Sequence, residues 1–153
     1  EPPEPVDSVV SFCDSLNYLL EEDDLRQTFR RTHAGLKAGG LFIFDMHHPN
    51  QLRRYWEAQP YYLNEEAIAY IWTCEWDEGR LEIEHDLTLF VATDNGDGHF
   101  RRIDETHIQR AYDPEWVVAE LRRSGFVEVD LYADFRFVPP DEDTERLFFV
   151  ARK

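Results

Sequence analysis

Val6-Asp7-Ser8-Val9-Val10-Ser11-Phe12, then Cys13-Asp14-Ser15-Leu16-Asn17-Tyr18-Leu19, then a polar stretch, then Leu36-Lys37-Ala38-Gly39-Gly40-Leu41-Phe42-Ile43-Phe44-Asp45: the order of these runs decides the fold. The first is rich in valine and reads as a buried strand. Between the runs, Glu22, Asp23 and Asp24 place negative charge where a helix N-terminus favours it. Leu25, Phe29, Thr32 and Leu36 then recur at helical spacing before Gly39 offers a left-handed stop. This helix is expected to cover one face of a sheet. Leu41-Phe42-Ile43-Phe44 is a continuous apolar run directly after that stop, which predicts a strand buried on both faces of a parallel sheet. Strand, helix and strand in that order imply a right-handed crossover.

The middle of the chain changes character. Ile68, Tyr70, Trp72, Cys74 and Trp76 alternate in period two, as do Leu81, Ile83, Leu87, Leu89 and Val91, followed by a run of mixed polarity over 103–112. Together they predict an antiparallel meander. Its turns fall at Asp77-Glu78-Gly79 and Asp94-Asn95-Gly96-Asp97-Gly98, whose residues tolerate positive φ. Asp113-Pro114-Glu115 opens a helix, with aspartate as cap and proline in the first turn, and Ser124-Gly125 ends it. Two more strands, 126–132 and 146–151, flank a loop carrying Pro139-Pro140. The opening Glu1-Pro2-Pro3-Glu4-Pro5 reads as an extended, polyproline-like lead.

The 153 residues suffice for one domain, and 42% hydrophobic content fills one core. Lys+Arg 16 against Asp+Glu 32 leaves a formal net charge of -16, which argues against a nucleic-acid partner and against an anionic membrane surface. The charge suits a solvated acidic surface or a cationic substrate. Cys13 and Cys74 show neither a disulfide framework nor metal-ligand spacing, so no metal and a reducing, cytoplasmic setting are expected. No apolar run reaches the roughly 18–20 residues of a membrane span, and the opening is unlike a signal peptide.

Three of these segments together resemble the class I S-adenosylmethionine-dependent methyltransferases, in the small-molecule branch with an antiparallel sheet inserted after the fifth core strand. Val6-Asp7-Ser8-Val9-Val10-Ser11 matches the fourth core strand, the run from Leu36 to Asp45 quoted above matches the helix-to-fifth-strand junction, and Ser124-Gly125-Phe126 precedes the sixth. The resemblance spans nearly the whole chain but only the back half of the family domain. It implies an α/β fold in which 6–48 and 113–153 form a partial Rossmann-like sheet, from the fourth strand onward. Residues 49–112 then form the inserted antiparallel β-meander lining the acceptor side, and 1–5 the lead. A final antiparallel strand ending Phe148-Phe149-Val150-Ala151-Arg152-Lys153 completes the reversed edge.

The family's glycine-rich loop, which lets backbone amides approach the cofactor, is absent from the sequence, as is its ribose-gripping acid. Gly39-Gly40 and Gly96-Asp97-Gly98 read instead as a helix stop and a turn. The expectation is a truncated methyltransferase, the part that binds a small-molecule acceptor, inactive alone, with S-adenosylmethionine bound by the complete protein. The rival is a non-enzymatic module, forming a homodimer or strand-exchanged assembly through an exposed parallel edge and binding a small ligand.

Ligands of open α/β sheets sit beyond the carboxyl ends of the strands. By resemblance, Phe12, Cys13, Asp14 and Ser15 lie along the cofactor, and Asn17 and Tyr18 close the pocket wall. Asp14 and Ser15 read equally well as caps of the next turn, and Cys13, with no adjacent base, as inert packing. Asp45, His47 and His48 follow the fifth strand, where the family's acceptor arrives. Methyl transfer needs positioning, plus a base when the acceptor is a protonated amine or a hydroxyl, and histidine serves near neutral pH. His47 is the first candidate base and His48 a substrate contact; both also read as caps of the strand end. His85, among Leu81, Ile83, Leu87 and Leu89, reads as a core histidine. Glu105, His107 and Gln109 share one face of the third meander strand, which lines the acceptor pocket in the resembling family. His107 is thus the second candidate base, and Arg110, on the other face, an anchor for an acidic substrate group. Cross-strand pairing with Glu82, Glu84 and Asp86 explains the same charges without function. Tyr70, Trp72 and Trp76 form an aromatic row that either stacks on a cationic acceptor or packs as sheet core.

Overall fold

The computed structural model describes residues 4–93 and 98–153, so most of the lead and the centre of the turn at 94–98 lie outside the described residues. Strands β1 (Val6–Ser11) and β2 (Leu36–His47) pair in parallel, joined through a 3₁₀ turn (Ser15–Tyr18) and helix α1 (Glu22–Gly35). This is the expected strand-helix-strand connection between parallel neighbours. From β2 the chain passes through helix α2 (Pro49–Ala58) into β3 (Tyr61–Asn64), β4 (Ile68–Asp77), β5 (Glu82–Ala92) and β6 (Phe100–Arg110), an antiparallel sheet in sequence order. Helix α3 (Pro114–Arg123) leads back to β7 (Glu128–Ala133) and β8 (Arg146–Arg152). Strand β8 enters antiparallel between β2 and β7, giving the order β1-β2-β8-β7.

The main core lies where α1 and α3 cover the mixed sheet. Leu25 and Phe29 of α1 and Val117 and Leu121 of α3 meet Phe42, Phe44 and Phe149 of the strands, all buried. Phe44 stacks on Phe149 at 4.7 Å, and Phe42 on Phe44 at 4.6 Å. Each such side chain contributes about 1.5–3 kcal/mol through burial. Asp113 caps α3 as the sequence implies, accepting from the Trp116 N–H at 2.9 Å, with Pro114 in the first turn. Gly125 at φ 109 closes the helix end.

Three features depart from the sequence reading. Helix α1 stops at Gly35 because Leu36, 1% exposed, turns extended to enter the core. Gly39, expected as the stop, lies within β2 at φ 75, where the register slips between the pairs Val6↔Leu36 and Ser8↔Leu41. Its neighbour Gly40 permits close approach: a Cβ there would meet the carbonyl oxygens of Lys37 at 2.9 Å and Asp7 at 3.0 Å. Second, neither parallel strand is buried on both faces. Phe42 and Phe44 are buried, but Leu41 and Ile43 are half-exposed and Val10 of β1 is 58% exposed, because α1 and α3 lie on one face only. Third, the antiparallel sheet has a fourth strand, β3, and a covering helix, α2, whose Leu52 and Tyr55 pack with Trp72, Cys74, Trp76 and Ile83. Among the described residues no helix is long and apolar enough to cross a membrane.

Candidate functional site

Strands β1 and β2 end side by side, and the segments beyond them turn toward the antiparallel sheet. After β1, Cys13 and Asp14 both adopt left-handed backbone, φ 60 and φ 50. That conformation costs a non-glycine residue about 1–2 kcal/mol. It places Asp14 at the cap position of the 3₁₀ turn without a capping bond. Its carboxylate instead accepts from Gln109 Nε2 of β6 at 2.7 Å and from Arg146 Nη2 of β8 at 3.0 Å. Arg146 also bonds the buried Asp45 at the end of β2. Burial alone would lower the Arg146 pKa, but the hydrogen bonds and charges of Asp45 and Asp14 outweigh it and raise it.

Asn17 completes the frame. Fully buried, it accepts the His47 N–H at 2.9 Å and donates to the Arg110 carbonyl at 2.8 Å, pinning the end of β2 to the end of β6. The two sheets then enclose an open cavity of about 270 Å³. Asp14, Tyr18, His47 and Arg146 line it from one side, and Trp72, His85, His107 and Gln109 from the other. Tyr55 of α2 stands between, edge-on to His47 at 5.7 Å and to His85 at 5.5 Å.

The three imidazoles differ sharply. His47 is 4% exposed, and burial lowers its pKa to about 4, with Asp14 opposing. Its Nε2 lies 3.5 Å from Asp14, and its buried Nδ1 has no hydrogen-bond partner. His85 Nδ1 accepts the Trp72 indole N–H at 3.1 Å and lies 3.2 Å from Cys74 Sγ. An indole only donates, so the neutral His85 ring carries its proton on Nε2. Burial lowers the His85 pKa and pushes the Cys74 thiol up to about 11, so both stay uncharged. His107 sits at the mouth, Nδ1 3.2 Å from the Tyr18 hydroxyl and Nε2 3.2 Å from Glu105.

Of the residues singled out by sequence, Asp14, Tyr18, His47, Trp72 and His107 converge on this cavity. Phe12 and Cys13 line an adjoining hollow of about 230 Å³ with Asp45, Phe135 and Phe148. Phe12 is 48% exposed, and Asp45 Oδ1 is buried without a donor, features that suit a ligand with a polar group beside an apolar one. Cys13 is exposed rather than packed, and the Ser15 hydroxyl donates to the Phe12 carbonyl at 2.6 Å, closing its own turn.

Four others sit elsewhere. Asn17 belongs to the frame because both its polar atoms bind backbone. His48 caps α2, its Nδ1 accepting from the Asn50 N–H at 3.2 Å. Tyr70 lies on the Trp72 side of β4 but beyond the cavity lining. Arg110 turns away, donating to the Leu20 carbonyl at 2.7 Å and stacking over Tyr112 at 4.8 Å. Of the cross-strand pairs, Thr106 donates to Asp86 at 2.8 Å, while Glu82 is bonded by Arg80 at 2.7 Å.

The sequence reading missed Arg146 and Tyr55. Arg146 was visible as the one cation opening the apolar run Leu147-Phe148-Phe149-Val150, and Tyr55 as the residue one turn beyond Leu52 after Pro49. Among the described residues no group of three or more His, Cys, Asp or Glu side chains is placed to hold a metal.

No protein-family model matches the chain. In sequence it is 42% identical over 147 residues to a protein of Geobacillus sp. (strain WCH70) provisionally named a methyltransferase. It is 36% identical over 147 residues to the similarly named YqeM of Bacillus subtilis (strain 168). Each match covers 96% of this chain but only 59% and 58% of the two relatives, so the chain spans less than two thirds of their length. In structure it matches an S-adenosylmethionine-dependent methyltransferase from Clostridium acetobutylicum ATCC 824 with a TM-score of 0.87 at 23% identity, over 99% of this chain and 60% of that one. It matches the sugar N-methyltransferase KedS8 from Streptoalloteichus sp ATCC 53650 with a TM-score of 0.72 at 15% identity, over 100% and 58%. The chain is therefore similar in sequence to proteins named as methyltransferases and has the α/β fold of S-adenosylmethionine-dependent methyltransferases.

Proposed function

We propose that this chain is the acceptor-facing part of an S-adenosylmethionine-dependent methyltransferase whose acceptor is a small molecule. The carrying observation is the cavity at the carboxyl ends of the two parallel strands, walled by aromatic rings and imidazoles from both sheets. Under this reading the mixed sheet is the back half of a Rossmann-like core, and 49–112 is an insertion that closes the acceptor side. Phe12 and Cys13 would flank the cofactor, Asp45 Oδ1 would be free to accept a donor from it, and Asp14 and Ser15 would shape the loop between. S-adenosylmethionine, when bound, supplies an electrophilic methyl group on a sulfonium.

The chain's own residues position the acceptor and manage its proton. Tyr18, Tyr55 and Trp72 form the wall. His107, rather than His47, is the base: a group held near pKa 4 by burial is a poor proton acceptor at neutral pH, and His47 Nε2 already faces Asp14. Arg146 is shared by Asp14 and Asp45, so this group keeps a net negative charge, and His47 and His85 are uncharged, which favours a neutral or cationic acceptor over an anionic one.

Two observations support the view that the chain alone is catalytically silent. The relatives are longer, and no glycine-rich turn follows β1 or β2. Isothermal calorimetry with S-adenosylmethionine on this polypeptide and on the full-length protein tests the reading. Binding at least ten-fold tighter by the full-length protein is expected; absence of binding by both overturns the methyltransferase reading, and equal affinities overturn the division between the two parts.

A further inference from the structure

What separates the three cavity histidines is the group behind each ring. His47 faces Asp14 through one nitrogen and has no partner at the other. His85 accepts from an indole. His107 alone has a carboxylate on one side and a hydroxyl at the cavity mouth on the other. We infer that Glu105 is a positioning residue: it holds His107 with its proton on Nε2, so that the Nδ1 lone pair faces the cavity and takes the hydrogen of an acceptor hydroxyl or amine. This rests on the methyltransferase reading above.

An ionised carboxylate accepts only, so the 3.2 Å contact between Glu105 and His107 Nε2 requires the hydrogen on that nitrogen. In the neutral ring Nδ1 is then the acceptor, and the Tyr18 hydroxyl 3.2 Å away donates to it. Burial, aided by the charge of Asp14, raises the Tyr18 pKa, which keeps that hydroxyl protonated. Tyr18 thus occupies the place that an incoming O–H or N–H would take. Glu105 and His107 stand two residues apart on β6 and share a face, so the local strand geometry sets the pair. The other titratable groups near the ring are His85, directly opposite on β5, and Asp14 within the cavity. When the acceptor's proton moves to Nδ1, its former bond electrons stay on the acceptor heteroatom. The imidazolium keeps its Nε2 hydrogen on Glu105, so the new cation has an anionic partner.

Nitrogen-15 NMR of the histidine-labelled full-length protein tests this, with His107→Asn identifying the His107 resonances. At alkaline pH the wild type is expected to show His107 protonated on Nε2 alone. Glu105→Ala should give a mixture of both tautomers, while Glu105→Gln, whose amide oxygen still accepts, should keep the wild-type form. Tyr18→Phe should shift the Nδ1 resonance and spare Nε2. A wild-type proton on Nδ1, an unchanged tautomer in Glu105→Ala, or an unmoved Nδ1 resonance in Tyr18→Phe each overturns the inference. None of these readouts involves S-adenosylmethionine, so their failure is distinct from a failed calorimetric titration.

Discussion

Asn17 carries no charge, yet its single amide bridges the ends of two strands from different sheets. Removing it strands the buried His47 N–H and the Arg110 carbonyl together. At about 1–3 kcal/mol for each unsatisfied buried group, Asn17→Ala is expected to cost about 2–4 kcal/mol. Urea denaturation measures it, and a loss below about 1 kcal/mol would show that water replaces the amide without penalty. His47 adds a dependence on pH. Burial holds its folded-state pKa near 4, against 6.5 ordinarily, so between those values the unfolded chain binds a proton that the folded chain refuses. Stability therefore rises with pH through that window and is lost as pH falls from about 6.5 to about 4, by about 3 kcal/mol in full. Comparing unfolding midpoints near pH 7 and pH 5, His47→Asn should show a shallower slope than wild type. An identical slope would remove His47 as the cause.

Gly39 and Gly40, adjacent on β2, are needed for opposite reasons. Gly39 has open space around it but a left-handed φ of 75; Gly40 is tightly enclosed by backbone oxygens. Gly39→Ala should cost about 1–2 kcal/mol through strain. Gly40→Ala should cost about 2–3 kcal/mol through overpacking and weaken β1 pairing as well. Denaturant unfolding ranks the pair, and the reverse order would contradict this account. The same pair shows where local sequence misleads. Two glycines after a helical run resemble a helix stop, but Leu36 already ends the helix by entering the core, a tertiary event no window reveals. Asp113-Pro114, by contrast, was legible because a cap acts within three residues. Helix α2 was overlooked although Pro49 opens it and Leu52, Tyr55 and Trp56 fall at helical spacing: it is ten residues long and only Leu52 is fully buried.

At the scale of the molecule, the parallel strand-helix-strand unit and the alternating strands were readable because hydrophobic period is a local rule. The arrangement of the site was not. Asp14 finds Gln109 across 95 positions and Arg146 across 132, distances over which no spacing rule operates. Residue chemistry marked Asp14, His47 and His107 as candidates, but only packing separates a buried neutral ring from one backed by a carboxylate. The net charge of -16 also acts on the whole chain. Self-repulsion among surplus carboxylates is screened by salt, so thermal stability should rise between about 20 mM and about 500 mM NaCl. A falling melting temperature would mean that the exposed ion pairs outweigh the surplus.

Asp14 is gripped from both sheets at once, and this bears on chimeras. A foreign antiparallel segment grafted in place of residues 59–112 must bring an amide donor where Gln109 stands and a carbonyl within reach of Asn17. A graft chosen for pocket shape alone leaves the Asp14 carboxylate with partners from the mixed sheet only, Arg146 and His47, and removes two of the ties between the sheets. Exchanging this sheet for another therefore requires the transplant to carry its own hinge pins.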